Sequence, residues 1–255
     1  MTVLDRFRLD HKVAIVTGAS SGLGVGFAVA LAEAGADVAL AARRVDRLAT
    51  VAASVEAAGR RAITRGTDVS RPEDCTALVE ATVEAFGGVD VLVNNAGVST
   101  ASPATREDPA EFRRVVDVNL NGAYWMAQAC GRVMKPGSTI INIGSVLGFT
   151  TDSGLPQAAY CSTKAAIVGL TRELAQQWGG RKGIRVNALA PGYFPSEMTD
   201  QLPADYLADM MERRVPMRRT GRIEELTPAL VFLASDASSY VNGISLPVDG
   251  GLLTG

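Results

Sequence analysis

The chain has 255 residues, and its 25 basic and 27 acidic side chains leave a formal net charge of −2. This near balance indicates no broad cationic surface for nucleic acid or for an anionic membrane. A single histidine excludes a zinc site built on two or three imidazoles, and it excludes a Ser-His-Asp triad unless His11 supplies the base. Three widely spaced cysteines without a Cys-x-x-Cys pair favour reduced thiols over a metal site or a disulfide framework.

The first residues lack the apolar core of a signal peptide, and no charge-free apolar run reaches the roughly 18 residues of a membrane helix. We therefore expect a cytoplasmic protein that acts on a small molecule, with no nucleic-acid, membrane or metal partner.

Short aliphatic segments alternate with longer alanine-rich segments along the whole chain. The predicted strands are Val13–Thr17, Val38–Ala42, Arg61–Thr67, Val89–Asn94, Thr139–Ile143, Ile184–Leu189 and Ile244–Val248. The predicted helices are Gly24–Ala34, Arg44–Ala58, Pro72–Phe86, Pro109–Met134, Ala158–Trp178 and Ile223–Ala234. This alternation, with strands that are apolar on both faces, predicts an α/β fold with one doubly wound parallel sheet of about seven strands and helices on both faces. No linker divides residues 1–255, so we expect a single domain.

One late segment, residues 192–221, interrupts this alternation and contains Met198, Met210, Met211 and Met217. A long excursion inside a compact domain is typical of a lid or binding loop, and a small helical pair that caps the core is the alternative. We call residues 192–221 the lid segment and predict that its apolar side chains line a substrate pocket.

A glycine-rich turn, TGASSGLG (residues 17–24), follows the first predicted strand and opens the first predicted helix. Glycines at these positions would let the backbone approach a pyrophosphate, and the helix N-terminus offers N–H groups to the anion. The spacing G-x-x-x-G-x-G differs from the usual dinucleotide fingerprint, and a tight turn without a ligand is the alternative. The predicted cofactor contacts in this turn are Gly18, Ser20, Ser21, Gly22, Leu23 and Gly24.

The end of the second predicted strand indicates which dinucleotide is bound. Folds that bind NAD generally place Asp or Glu there to accept from the ribose 2′-hydroxyl, whereas this chain has Arg43 and Arg44. A guanidinium can hold a 2′-phosphate that a carboxylate would repel. The pattern therefore favours NADP(H), with Arg43 as the first candidate, and leaves NAD(H) open. A solvated first turn of the next helix is the alternative.

Tyr160 and Lys164 stand four residues apart in a predicted helix, so both lie on one face. An ammonium about 4 Å from a phenol contributes about 4 kcal/mol at an effective dielectric constant of about 20, which would lower the pKa of the phenol before desolvation opposes it. We therefore predict that Tyr160 donates and accepts a proton near neutral pH without a histidine. A surface pair is the alternative interpretation.

Six motifs follow one another between residues 17 and 192. They are TGASSGLG (17–24), NNAG (94–97), VNLNG (118–122), INIGS (141–145), YCSTK (160–164) and PG (191–192). In these motifs the sequence resembles a classical short-chain dehydrogenase/reductase, and the resemblance covers nearly the whole chain, from about Lys12 to Gly251. The resemblance implies an NAD(P)-binding Rossmann domain and a homotetramer in which residues 119–134 and 160–178 pack across a dimer interface.

The same resemblance implies a catalytic tetrad. Tyr160 would be the acid and base, Ser145 would hold the substrate oxygen, and Lys164 would bind the nicotinamide ribose and lower the pKa of Tyr160. Asn119 would anchor a water molecule in a proton relay. Further implied cofactor contacts are Asp68, Val69, Asn95, Ala96, Gly97, Tyr160, Lys164, Pro191 and Gly192. A helix cap at Ser70 is the competing local role for the stretch around Asp68.

The sequence leaves the substrate class open. The predicted substrate contacts are Ser145, Leu147, Gln157, Tyr160, Tyr193, Phe194 and Met198. Their largely apolar character favours a ketone or a 3-oxoacyl thioester. However, the run PGYFPSEMT is similar to family members that act on sugar acids such as gluconate. The arginines at 213, 214, 218 and 219 could meet a carboxylate or could form a salt-bridged face. A catalytically silent nucleotide sensor is a further alternative, against which the intact tetrad argues.

Overall fold

The computed structural model describes residues 2–152 and 154–254. The strands are β1 (Val13–Thr17), β2 (Asp37–Ala42), β3 (Ala62–Gly66), β4 (Val91–Asn94), β5 (Thr139–Ile143), β6 (Arg185–Pro191) and β7 (Ser245–Val248). They form one parallel sheet in the order β3-β2-β1-β4-β5-β6-β7. The predicted doubly wound sheet is therefore confirmed, and each predicted strand overlaps an observed one.

The helices are α1 (Leu23–Glu33), α2 (Val45–Ala57), α3 (Pro72–Phe86), α4 (Pro109–Val116), α5 (Gly122–Val133), α6 (Ala158–Lys182), α7 (Ala204–Arg214) and α8 (Ile223–Ala234). Apolar residues of α1, α2 and α8 cover one face of the sheet, and those of α3, α5 and α6 cover the other. Because successive side chains of a strand point to opposite faces, Ala14 and Val16 join the first layer and Ile15 joins the second.

The strand order reverses between β1 and β4, which both pair with their neighbours in parallel. Crossovers leave the two sides of the sheet in opposite directions at such a point, so a crevice opens beyond the carboxyl ends of these strands. Within residues 2–152 and 154–254, no helix is long and apolar enough to cross a membrane.

The helix predicted over Pro109–Met134 is interrupted in the structure. A π-helical turn, Asp117–Asn121, joins α4 to α5 and carries the buried Asn119. Such turns insert one residue into a helix and are frequent at functional sites. The sequence pattern does not reveal the turn, because its residues keep helical backbone angles and a helical apolar spacing.

The lid segment contains α7 and a short 3₁₀ turn at Thr199–Gln201. Met210 and Met211 are buried in a cluster with Val146, Val215 and Leu252 and do not themselves line the crevice at the sheet edge. The expectation that these two methionines line a substrate pocket does not hold for this crevice; Met211 instead lines a small separate cavity together with Tyr193 and Phe194. Helix α7 places them on the face that packs against the rest of the domain.

Candidate active site

The carboxyl ends of the central strands border a cleft of about 750 Å³, which the first part of the lid segment closes on one side. Every predicted cofactor, substrate and catalytic residue lines this cleft except Gly24 and Asn119. The structure thus brings together residues from positions 18 to 198. Gly24 and Asn119 contact lining residues instead, since Gly24 packs against Gly18 and Asn119 hydrogen-bonds to Val98.

The glycine-rich turn packs tightly against the turn after β4. Gly18 has φ +65°, and a Cβ there would lie 2.8 Å from the Cα of Ala96. A Cβ on Gly24 would lie 2.3 Å from the carbonyl oxygen of Gly18. The Asn95 amide donates to the carbonyls of Thr17 (2.9 Å) and Gly18 (3.2 Å) and holds the two turns together. No side chain caps the N-terminus of α1, so its N–H groups are available for an anion.

Arg44 lies at the other end of the cleft and bridges the glycine-rich turn and the lid segment. Its guanidinium donates to the Ser21 hydroxyl (2.7 Å) and to both carboxylate oxygens of Glu197 (3.1 and 2.7 Å). Arg47 pairs with the same carboxylate. Sequence analysis missed Glu197, because 153 residues separate it from Arg44 and no local pattern connects them.

Asp68 lines the cleft after β3. Its carboxylate accepts from the backbone N–H (3.0 Å) and the hydroxyl (2.7 Å) of Ser70. Burial raises the pKa of Asp68, but the Ser70 hydrogen bonds and the nearby Arg43 cation outweigh burial, and the pKa lies below its ordinary value. Asp68 is therefore an ionised hydrogen-bond acceptor. The competing role of Ser70 as a helix cap is wrong, since Arg71 occupies the N-cap position of α3.

Tyr160, Lys164 and Ser145 meet where α6 passes the end of β5. The Lys164 ammonium donates to the carbonyl of Ile143 (2.7 Å) and lies 5.5 Å from the centre of the Tyr160 ring. Ser145 is buried, and its hydroxyl accepts from the backbone N–H of Leu147 (3.1 Å). The four-residue spacing therefore places the phenol and the ammonium on one face of α6, as predicted.

The predicted lowering of the pKa of Tyr160 is wrong in direction for this structure. Burial raises that pKa, because the phenolate loses hydration, and the nearby Ser145 hydroxyl only partly opposes the rise. Burial also lowers the pKa of Lys164 to about 8, and its ammonium is engaged by the carbonyl of Ile143. Near neutral pH the pair is therefore a neutral phenol beside an ammonium.

Asn119 supports this pair from the π turn. Its side chain donates to the carbonyl of Val98 (2.9 Å) and to the hydroxyl of Thr163 (3.2 Å), and it accepts from the N–H of Val98 (2.8 Å). The side-chain amide oxygen of Asn119 and the ammonium of Lys164 both lie within 4 Å of the position that a Cβ would take on Gly97. The missing side chain at Gly97 thus leaves these two groups facing one another.

The part of the cleft that is predicted to bind the substrate combines apolar and polar groups. Leu147, Tyr193, Phe194 and Met198 are part of its lining, as predicted. The Tyr193 hydroxyl donates to Asp152 (3.1 Å), which sequence analysis did not single out.

The arginines of the lid segment mainly form surface ion pairs. Arg213, Arg218 and Arg219 pair with Asp209, Glu212 and Glu225, respectively. The salt-bridged face that the sequence left open is thus confirmed for these three arginines. Arg214 instead donates to the Thr150 hydroxyl at 3.5 Å.

Comparisons with known proteins match nearly the whole chain. Residues 18–253 match the family described as enoyl-(acyl carrier protein) reductase. A 2-dehydro-3-deoxy-D-gluconate 5-dehydrogenase of Dickeya dadantii (strain 3937) is 41% identical, over 98% of this chain and 99% of the relative. A 3-oxoacyl-(acyl-carrier-protein) reductase of Staphylococcus epidermidis is 36% identical, over 95% of this chain and 99% of the relative.

A solved structure shares both the fold and the sequence. The gluconate 5-dehydrogenase of Burkholderia cenocepacia J2315, in complex with NADP and tartrate, is 37% identical, has a TM-score of 0.92, and aligns over 100% of both chains. Similarity of this extent confirms the family that the six motifs predicted. The chain therefore belongs to the classical short-chain dehydrogenase/reductase family and is an oxidoreductase that acts on CH–OH groups.

Proposed function

We propose that this protein catalyses NADP(H)-dependent hydride transfer between the nicotinamide and a carbonyl/secondary-alcohol pair, with Tyr160 as proton donor and acceptor. The observation that carries the proposal is the position of Tyr160 and Ser145 on the wall of one cleft whose other end presents Arg43 and Arg44. A catalytically silent sensor would not require a half-buried phenol beside a buried ammonium at the sheet edge.

The residues of the cleft fit a dinucleotide that carries a 2′-phosphate. The close approach at Gly18 and the uncapped N-terminus of α1 would hold the pyrophosphate. Arg43, Arg44 and Ser21 would hold the 2′-phosphate, because guanidinium and hydroxyl groups donate to its oxygens. The NADP complex of the Burkholderia relative supports this assignment. NAD(H) remains the alternative cofactor.

When bound, the nicotinamide supplies or accepts the hydride. In the direction of reduction, Ser145 donates a hydrogen bond to the substrate oxygen and Tyr160 donates its phenolic proton to the same atom. The raised pKa of Tyr160 keeps the phenol protonated near neutral pH, which suits a proton donor. Lys164 remains an ammonium below about pH 8 and stabilises the negative charge that develops on the phenolate oxygen. We propose that Asn119, across Gly97 from the ammonium, holds the water that returns the proton.

For the substrate we propose a hydroxy acid of the sugar-acid class. The Dickeya relative acts on such a compound, and the Burkholderia structure holds the hydroxy dicarboxylate tartrate. Gln157 adds an amide to the cleft lining, which suits carboxylate and hydroxyl groups. The second candidate is a 3-oxoacyl thioester, which the apolar side chains of Leu147 and Phe194 favour.

The proposal is tested by steady-state turnover with NADPH and NADH against keto sugar acids, 3-oxoacyl thioesters and activated ketones. We expect kcat/KM with NADPH to exceed that with NADH at least tenfold, and Tyr160→Phe to lower kcat by about 10²- to 10⁴-fold. Tyr240→Phe, at a fully exposed tyrosine, is the matched control. A clear preference for NADH would refute the cofactor assignment, and a fully active Tyr160→Phe enzyme would refute the mechanism.

We also propose that the chain forms a homotetramer through residues 119–134 and 160–178, which include α5 and most of α6. Tyr124 and Val133 are apolar side chains that remain exposed on α5, which supports a covered face in an assembly. Light scattering tests this directly, and a stable monomer would contradict it.

A further inference from the structure

The lid segment places a carboxylate in the predicted 2′-phosphate pocket. Glu197 lines the same cleft as Arg43, Arg44, Ser20 and Ser21. Its two oxygens accept from the Arg44 guanidinium, and the same guanidinium donates to the Ser21 hydroxyl. The carboxylate thus occupies the donors that would otherwise bind a phosphate oxygen.

The ion pair between Glu197 and Arg44 is exposed, with 48% and 42% of the two side chains accessible to solvent. An exposed ion pair contributes little to stability and can be replaced by another anion. A phosphate monoester carries about −1.5 to −2 charges near pH 7, so it can displace the single carboxylate of Glu197 from Arg44. Displacement nevertheless removes a favourable contact, which weakens phosphate binding.

The 2′-hydroxyl of NAD, unlike a 2′-phosphate, can donate a hydrogen bond to the Glu197 carboxylate. Folds that bind NAD place a carboxylate after the second strand to accept from that hydroxyl. This chain has arginines there, but Glu197 reaches the position from the lid segment, five residues after Gly192. NAD can therefore bind without breaking the contacts of Glu197 with Arg44 and Arg47.

We infer that Glu197 is a specificity-determining residue, which lowers the preference of the site for NADP over NAD by competing with the 2′-phosphate for Arg44. This inference rests on the proposed function, because it assumes that the 2′-phosphate binds at the end of β2. The hydrogen bonds from Arg44, Ser21 and Arg47 lower the pKa of Glu197 to about 2. The carboxylate therefore keeps its charge, and the competition persists, throughout the neutral pH range.

The competition is tested with two adenosine probes, 2′,5′-ADP and 5′-AMP, which differ only in the 2′-phosphate. Their dissociation constants are measured by calorimetry for the wild type, Glu197→Gln and Glu212→Gln. Glu212 is the matched control, since it pairs with Arg218 in the lid segment but does not line the cleft. Thermal unfolding of each variant confirms that it is folded.

We expect Glu197→Gln to bind 2′,5′-ADP about three- to tenfold more tightly than the wild type, with no gain for 5′-AMP, and Glu212→Gln to change neither. An unchanged ratio of the two constants in Glu197→Gln would overturn the inference. Weaker binding of both probes would also overturn it, because the ion pair would then close over the cofactor. If the wild type binds both probes equally, the proposed NADP preference fails, whereas the effect of Glu197→Gln still decides the competition.

A second measurement follows the lid segment itself. Hydrogen exchange of the peptide over residues 196–203 should rise when 2′,5′-ADP binds the wild type, because the phosphate releases Glu197 from Arg44. In Glu197→Gln the same peptide should already exchange fast and should not respond. If 2′,5′-ADP slowed the hydrogen exchange of this peptide equally in the wild type and in Glu197→Gln, displacement of the carboxylate would be contradicted.

Discussion

Lys164→Met tests the energetic consequence of placing an ammonium beside the reacting centre. Lys164 is buried, and burial lowers its pKa from 10.5 to about 8. In the unfolded chain the amine titrates near its ordinary value, so folding at neutral pH transfers a charged group into a site that disfavours the charge. Met retains most of the side-chain volume without the charge, and the variant should lose nearly all turnover.

The sign and size of the effect follow from the two pKa values. A lysine with a lowered folded-state pKa destabilises the protein fully below that value, and the penalty fades as pH rises through 8 towards 10.5. The penalty is about 3 kcal/mol at pH 7 and about 2 kcal/mol at pH 9. The hydrogen bond to the carbonyl of Ile143 is stronger for the ammonium than for the neutral amine, and this difference is already contained in the folded-state pKa.

Urea unfolding of the wild type and Lys164→Met at pH 7, 8 and 9, at one protein concentration, gives the difference in free energy of unfolding. We expect the stability of the wild type relative to the variant to rise by about 1 kcal/mol from pH 7 to pH 9. Lys182→Met is the control, because the exposed Lys182 also donates to a backbone carbonyl, at 2.9 Å. A difference that stays level or falls with pH would refute the burial argument.

Two further substitutions test how the cleft is supported. Gly18→Ala should cost about 2–4 kcal/mol and abolish NADPH binding in fluorescence titrations, because the new Cβ meets backbone at 2.8 Å with φ +65°. Gly59→Ala, with φ +77° and open space, should cost only about 1–2 kcal/mol, and equal costs would contradict the close approach. Asn142→Ala should cost about 2–4 kcal/mol in urea unfolding, since it breaks buried hydrogen bonds to Asn94 (2.9 Å) and Thr171 (3.0 Å). A loss below 1 kcal/mol would show that these buried hydrogen bonds contribute little to the free energy of unfolding.

Local sequence patterns predicted the sheet well, because a strand buried on both faces must be apolar throughout and an amphipathic helix must repeat its apolar positions. The start of β1 and both ends of α3 agree with the predicted residues. The π turn at Asp117–Asn121 was missed, since one inserted residue changes hydrogen bonding but not composition. The burial of Met210 and Met211 was also missed, because it depends on which face of α7 packs inwards.

The candidate site divides in the same way. The sequence by itself determined the glycine-rich turn, the spacing of Tyr160 and Lys164, and the arginines after β2, because each of these depends on neighbours within a few residues. The tertiary structure alone decided the protonation of the pair and the contact between Glu197 and Arg44. Burial determines how much hydration the phenol and the ammonium lose, and chain folding determines which distant charges meet; neither quantity is present in a local pattern.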